Sequence, residues 1–161
     1  LVTEAVAEMK GEDVPPVIPE LKLDVPSDAF LPTDYVPREE SRLDAYRRLA
    51  GVTSHADVED IEREWLDRYG KLPEPAEALL RVGRLRAECR RIGLREVVVE
   101  NGRARMSPVS LPASGVMRLN RLDSRADWNE KLHTITITMP RTGDAVSALL
   151  SFLKSMFDDD N

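Results

Sequence analysis

Histidine, cysteine and aromatic residues are scarce in this chain: two histidines, one cysteine, and 5% phenylalanine, tryptophan and tyrosine together. Cys89 as the sole cysteine cannot close an intrachain disulfide, which fits a cytoplasmic setting. His55 and His133 are far apart and stand in no H-x-x-x-H or H-x-E context, so a zinc site has no ligand set. The eight glycines never form the G-x-x-x-x-G-K-S/T loop that cradles phosphates, nor a G-x-G-x-x-G turn. No two carboxylates form a spaced pair in an otherwise apolar setting, the arrangement acid-base catalysis needs. No catalytic, cofactor or metal site is therefore expected in this chain. No apolar run approaches the roughly 20 residues of a membrane helix. The opening Leu1-Val2-Thr3-Glu4-Ala5-Val6 has no initiator methionine, basic n-region or apolar h-region. The expectation is a fragment of a longer protein, not a chain led by a signal peptide.

What is present suits one soluble domain: 161 residues, 42% hydrophobic and 32% charged. The formal net charge is −6, unevenly spread. Residues 1–40 carry ten carboxylates against Lys10, Lys22 and Arg38, whereas residues 71–105 carry nine basic side chains against five acidic ones. An acidic whole argues against non-specific nucleic-acid binding as the main role, because neutralising phosphates takes a surplus of cations. A local basic patch stays compatible with it.

Val2, Ala5, Val6 and Met9 recur at helical steps, and Gly11 stops that helix. Six prolines between Pro15 and Pro37 forbid a long helix and predict an extended connector. Within it Leu21, Leu23 and Val25 alternate with Lys22 and Asp24, a short strand. Three helices are expected next. The first covers about 38–50 with Leu43, Tyr46 and Leu49 inward. The second covers about 55–69, with Ser54 and Asp57 as a capping box, an apolar stripe of Val58, Ile61, Trp65 and Tyr69, and Gly70 as C-terminal cap. The third covers about 74–93, with Ala78, Val82, Leu85, Cys89 and Ile92 inward, Cys89 as core filler. The period then changes to two. Glu96–Glu100 reads as a strand, Asn101-Gly102 as a tight hairpin turn, and Ala104, Met106 and Val109 as the return. A strand is expected over Val116–Leu122 and another over His133–Met139. A last helix covers Asp144–Phe157, followed by an acidic tail. The class is α+β: a helical half, then a small, at least partly antiparallel sheet covered by the C-terminal helix.

Two charged faces stand out. Asp57, Asp60, Glu64 and Asp67 follow at steps of three, four and three, which places them on one face of the second helix. Arg81, Arg84, Arg91 and Arg95 do the same on the third, interrupted by Glu88. A solvated face is the ordinary meaning of the acidic stripe. For the arginines the ordinary meaning is solvation or pairing with the second helix, and nucleic-acid contact is the alternative. No aromatic residue interleaves with them, which weakens a base-stacking role.

The stretch Ala29-Phe30-Leu31-Pro32, Asp34-Tyr35-Val36-Pro37, Arg42-Leu43 and Tyr46-Arg47-Arg48-Leu49-Ala50 resembles the opening of the C-terminal domain of bacterial transcription-repair coupling factors. The resemblance continues through Glu64, Asp67-Arg68-Tyr69-Gly70, Leu72-Pro73, Pro75, Leu79-Leu80, Leu85-Arg86 and Gly93-Leu94, without gaps. Trp65 stands where that family is expected to carry an aliphatic residue. The resemblance implies that residues 1–19 end a motor-domain helix and form a linker, that 20–157 are the regulatory domain, and that 158–161 are a tail. It implies a parent that is an ATP-driven translocase on double-stranded DNA, which dislodges stalled RNA polymerase and recruits excision repair. ATP and Mg²⁺ would belong to the motor, upstream of this chain. The domain itself would dock on an N-terminal repair module and mask the surface that binds the damage-recognition ATPase, with Glu64 and Asp67 among its contacts.

Overall fold

The computed structural model describes residues 17–158. The helix expected over residues 1–10 and the end of the acidic tail lie outside the described residues. The connector enters as strand β1 (Lys22–Asp24). Three helices follow: α1 (Glu39–Ala50), α2 (His55–Tyr69) and α3 (Glu74–Ile92). The hairpin β2 (Glu96–Glu100) and β3 (Arg103–Ser107) leads to α4 (Ala113–Leu122), β4 (Asp127–Asn129), β5 (Thr134–Thr138) and α5 (Ala145–Phe157). The sheet order is β1-β2-β3-β5-β4. Only β1 and β2 run parallel; every other neighbouring pair is antiparallel. The expected α+β architecture is the observed one.

Local chemistry accounts for most element ends. The Ser54 hydroxyl accepts from the Asp57 amide at 3.2 Å, while the Asp57 carboxylate accepts from the Thr53 amide at 2.9 Å, so α2 starts on a reciprocal cap. Gly70 and Gly93 end α2 and α3 with φ of 90° and 97°, where a Cβ is disfavoured. Asn101 and Gly102 both adopt positive φ, as the tight hairpin requires.

The interior holds two cores. In the helical half, Val36, Ala45, Leu49, Val58, Ile61, Trp65, Ala76 and Leu80 pack together. In the sheet half, Val97, Ala104, Met106, Ile135 and Ile137 line one face of the sheet. Leu85 and Cys89 from α3, Leu119 from α4, and Val146, Leu149, Leu153 and Met156 from α5 cover that face. The opposite face carries Arg103 and Arg105 of β3, in register with Thr138 and Thr136 of β5, and Thr134 beyond them. Helix α3 supplies both cores, Ala76 and Leu80 to one and Leu85 and Cys89 to the other.

Three expectations are corrected. Residues 116–122 form no strand; they belong to α4, where Pro112 as N-cap accepts from Gly115 and Val116 through its carbonyl. The inward face there is the buried Leu119 with the half-buried Gly115 and Val116, a helical spacing. Leu43 is not inward but 50% exposed. Ala45 and Leu49 take the core-facing line of α1, and Arg42 turns back to donate to the Val36 and Pro37 carbonyls at 2.8 and 2.9 Å. In α3 the expected line holds at Leu85 and Cys89, but Ala78, Val82 and Ile92 are half-buried, and a second line of Ala76, Leu80, Gly83 and Ala87 is buried too. A helix gripped by two cores needs two apolar lines.

Candidate functional site

The residues that carry the family resemblance prove to be fasteners. The Tyr35 hydroxyl donates to the Gly70 carbonyl at 2.8 Å and lies 3.3 Å from the Trp65 carbonyl, so the connector is tied to the exit of α2. The Tyr46 hydroxyl accepts from the Leu31 amide at 2.9 Å. Tyr46 and Arg42 thus satisfy backbone groups of the proline-rich connector, while Tyr35 satisfies a carbonyl at the exit of α2. They hold the α1–α2 surface in place and do not themselves form a site.

On α2, the four predicted acidic residues do share a flank but differ in their bonding. Asp57 is occupied by the cap: the Thr53 amide is the main influence holding its carboxyl below the usual aspartate range. Asp60 pairs with Arg63 at 3.2 Å on an exposed surface. Glu64 sits between helices, 2.8 Å from Arg48 of α1 and 3.3 Å from Arg68. The Arg48 hydrogen bond, foremost, holds its carboxyl below the ordinary glutamate range. Asp67 is exposed and forms no ion pair among the described residues. Beside it Leu66 is 45% exposed, an apolar contact that the acidic pattern did not flag.

The Glu64 bonding fixes a pH response. A carboxyl depressed in the folded state adds stability above its unfolded pKa and loses it as the pH falls through the folded value. The native chain should lose stability between the ordinary glutamate range and the acid side of it, and Glu64→Gln should flatten that part of the curve. Urea midpoints measured from neutral to acid pH for both proteins check this; parallel curves would mean that the Arg48 contact does not persist in solution.

The arginine stripe of α3 is largely consumed inside the molecule. Arg81 lies 2.8 Å from Glu74 and 3.7 Å from Asp144. Arg84 pairs with Glu62 of α2 at 2.9 Å. Arg91 meets Glu88 at 2.9 Å and donates to the Phe157 carbonyl at 3.3 Å. Arg95 lies beyond the helix, exposed, with its backbone amide bonded to the Ser107 carbonyl. Each carboxylate lowers the positive potential on offer to phosphate, so this stripe is chiefly a clamp between elements. His55 also joins α2 to α3, its Nε2 lying 2.6 Å from the Glu88 carboxylate. Cys89 is fully buried, and burial pushes its thiol up to about 12, which keeps it protonated and inert.

A family model, the TRCF domain, matches residues 25–114. The chain belongs to the TRCF domain family. It is 40% identical over 125 residues, 77% of its length, to a transcription-repair-coupling factor of Mycobacterium tuberculosis. It is 37% identical over 86 residues, 53% of its length, to that of Escherichia coli K12. The chain spans about a tenth or less of these relatives, covering 10% and 7% of them. Its fold matches the crystal structure of a C-terminal domain of a transcription-repair coupling factor with TM-score 0.73 and 17% identity, over 87% of this chain and 93% of that one. The TRCF motif residues from Ala29 to Leu94 fall inside the family match. The likeness to the mycobacterial relative runs beyond them, since 125 of 161 residues cannot fit within the first hundred.

Proposed function

We propose that this chain is a non-catalytic interaction domain from a transcription-repair coupling factor, and that its α2 face holds it against a basic surface of the parent's N-terminal repair module. On this reading the parent is an ATP-dependent translocase on double-stranded DNA, located in the cytoplasm, that displaces stalled RNA polymerase. Docking of this domain hides the surface for the damage-recognition ATPase until polymerase is engaged. ATP and Mg²⁺ serve the motor, outside this chain. The relatives' names support the repair and transcription setting.

The observation that carries the docking role is the exposed Asp67 beside Leu66: an uncompensated carboxylate next to an apolar side chain, on a helix whose opposite side is locked into the core. Asp60 and Glu64 extend the negative face, each already held by an arginine. An exposed ion pair contributes only about 0.2–1 kcal/mol, but charge pairs enclosed in an interface couple by about 1.5–7 kcal/mol. Reversal is therefore more telling than truncation, because it adds repulsion. In the full-length parent, Glu64→Arg with Asp67→Arg should raise binding of the damage-recognition ATPase, and moderate salt should act in the same direction by screening over about 8–10 Å. An arginine at position 64 would also face Arg48 and Arg68. Asp60→Arg with Asp67→Arg, which spares that cluster, should give the same gain. Wild-type binding by both folded variants would leave this face as solvated surface.

A further inference from the structure

Helix α4 buries one side and presents a second, ordered side to solvent. Leu119 is fully buried, with Gly115 and Val116 half-buried beside it. Opposite them, Ser114, Met117, Arg118, Arg121 and Leu122 follow at i, i+3, i+4, i+7 and i+8, the spacing by which a helix lays a contact stripe against protein. Met117 is 67% and Leu122 44% exposed. The helix has no carboxylate. Arg121 has no ion pair among the described residues, and Arg118 donates to the Met156 carbonyl at 3.1 Å.

The stripe is held in a fixed orientation. Ahead of α4, the Val109 amide donates to the His133 carbonyl at 2.8 Å. Beyond its end, Asp123 accepts from the Thr138 amide at 2.7 Å. The segments flanking the helix are thus tied to the two ends of β5, and the Arg118 bond anchors its flank to the end of α5.

We propose that the outer face of α4 binds an acidic, apolar-faced helix of a protein partner. Met117 and Leu122 supply the apolar contact, methionine and arginine being side chains favoured in interface cores. Arg118 and Arg121 lie between them and fit carboxylates spaced three or four residues apart on the incoming helix. Nucleic acid suits the face less well. Phosphates gain nothing from Met117 or Leu122, and no aromatic side chain on the stripe offers a base a stacking surface. This face lies in the sheet half and is opposite in charge to the α2 stripe, so the domain offers two unlike surfaces to two unlike partners.

The test titrates the isotope-labelled chain with two short helix-forming peptides that share the same leucines, one carrying glutamates and the other lysines, and separately with duplex DNA. The glutamate peptide should shift the amides of residues 113–122 selectively. Met117→Ser with Arg121→Glu should weaken it by about tenfold or more. Arg121→Glu alone should move preference toward the lysine peptide. Neither side chain is bonded within the described residues, so the melting temperature should not change. Asp60→Arg with Asp67→Arg should leave peptide binding as it is. Equal binding of the two peptides, shifts mapping to another face, stronger α4 shifts from duplex DNA than from the glutamate peptide, or no α4 response to any ligand would each overturn the proposal.

Discussion

Trp65→Ala should destabilise the chain by about 3–5 kcal/mol, as read from a denaturant midpoint at unchanged slope. Trp65 is 2% exposed and is among the largest fully buried side chains. Its ring belongs to the helical core that also holds Val36 of the connector, Leu49 of α1 and Leu80 of α3. Its carbonyl also lies within reach of the Tyr35 hydroxyl, so the backbone there is braced while the ring is not replaceable. A domain of this size has only about 5–15 kcal/mol in total, so the substitution removes a large part of it. Trp65→Phe should cost less, because most of the void is refilled. An unchanged midpoint for the alanine variant would mean that the ring does not hold the helical core together.

The second large effect concerns the other core. Leu149 of α5 is 0% exposed and packs over the sheet among Met106, Ile135 and Val146. Leu149→Ala should cost about 2–5 kcal/mol. The two substitutions should lower the same transition. Because α3 contributes Leu80 to one core and Leu85 to the other, unfolding of either half strips apolar contacts from a helix on which the remaining half depends. In Leu149→Ala, far-ultraviolet dichroism and fluorescence from Trp65 and Trp128 should give coincident curves; in Trp65→Ala, dichroism should coincide with the fluorescence of Trp128 alone. A sheet half that melts alone in Leu149→Ala while the Trp65 environment stays native would show that α3 does not couple the two cores.

Much of this architecture can be read from local chemistry. Helix α2 has both ends written into it, at Ser54 with Asp57 and at Gly70, and the hairpin is announced by Asn101-Gly102. Where the reading fails, a local pattern has two solutions. In residues 113–122 the apolar positions are few, and Gly115 and Asn120 are weak helix formers, so period two and period 3.6 fit the short run almost equally. In α1, Leu43 and Ala45 lie on opposite sides, and only the tertiary position of Trp65 and Leu80 decides that the smaller residue faces inward. The acidic stripe shows the same division. Its spacing places four carboxylates together on α2, and Asp57 and Asp60 find partners within four residues, but the state of Glu64 depends on a residue distant in sequence. Glu64 meets Arg48 sixteen positions away, and Arg84 reaches Glu62 across twenty-two. The charge of the α3 stripe is visible in the sequence; its neutralisation is a property of packing.

Gly83 lies on α3 between Leu80 and Leu85, where a Cβ would come within 2.8 Å of the Leu49 side chain. The helix there is a rigid axle with a differently keyed hub on each side. At 3.6 residues per turn, one residue inserted between the hubs would rotate one half of the domain against the other by about 100°. The angle between the acidic face of α2 and the methionine-arginine face of α4 is thus set by the number of residues on a helix that belongs to neither surface. Whatever side chains the two faces carry, one residue added or deleted in the middle of α3 would turn them out of alignment.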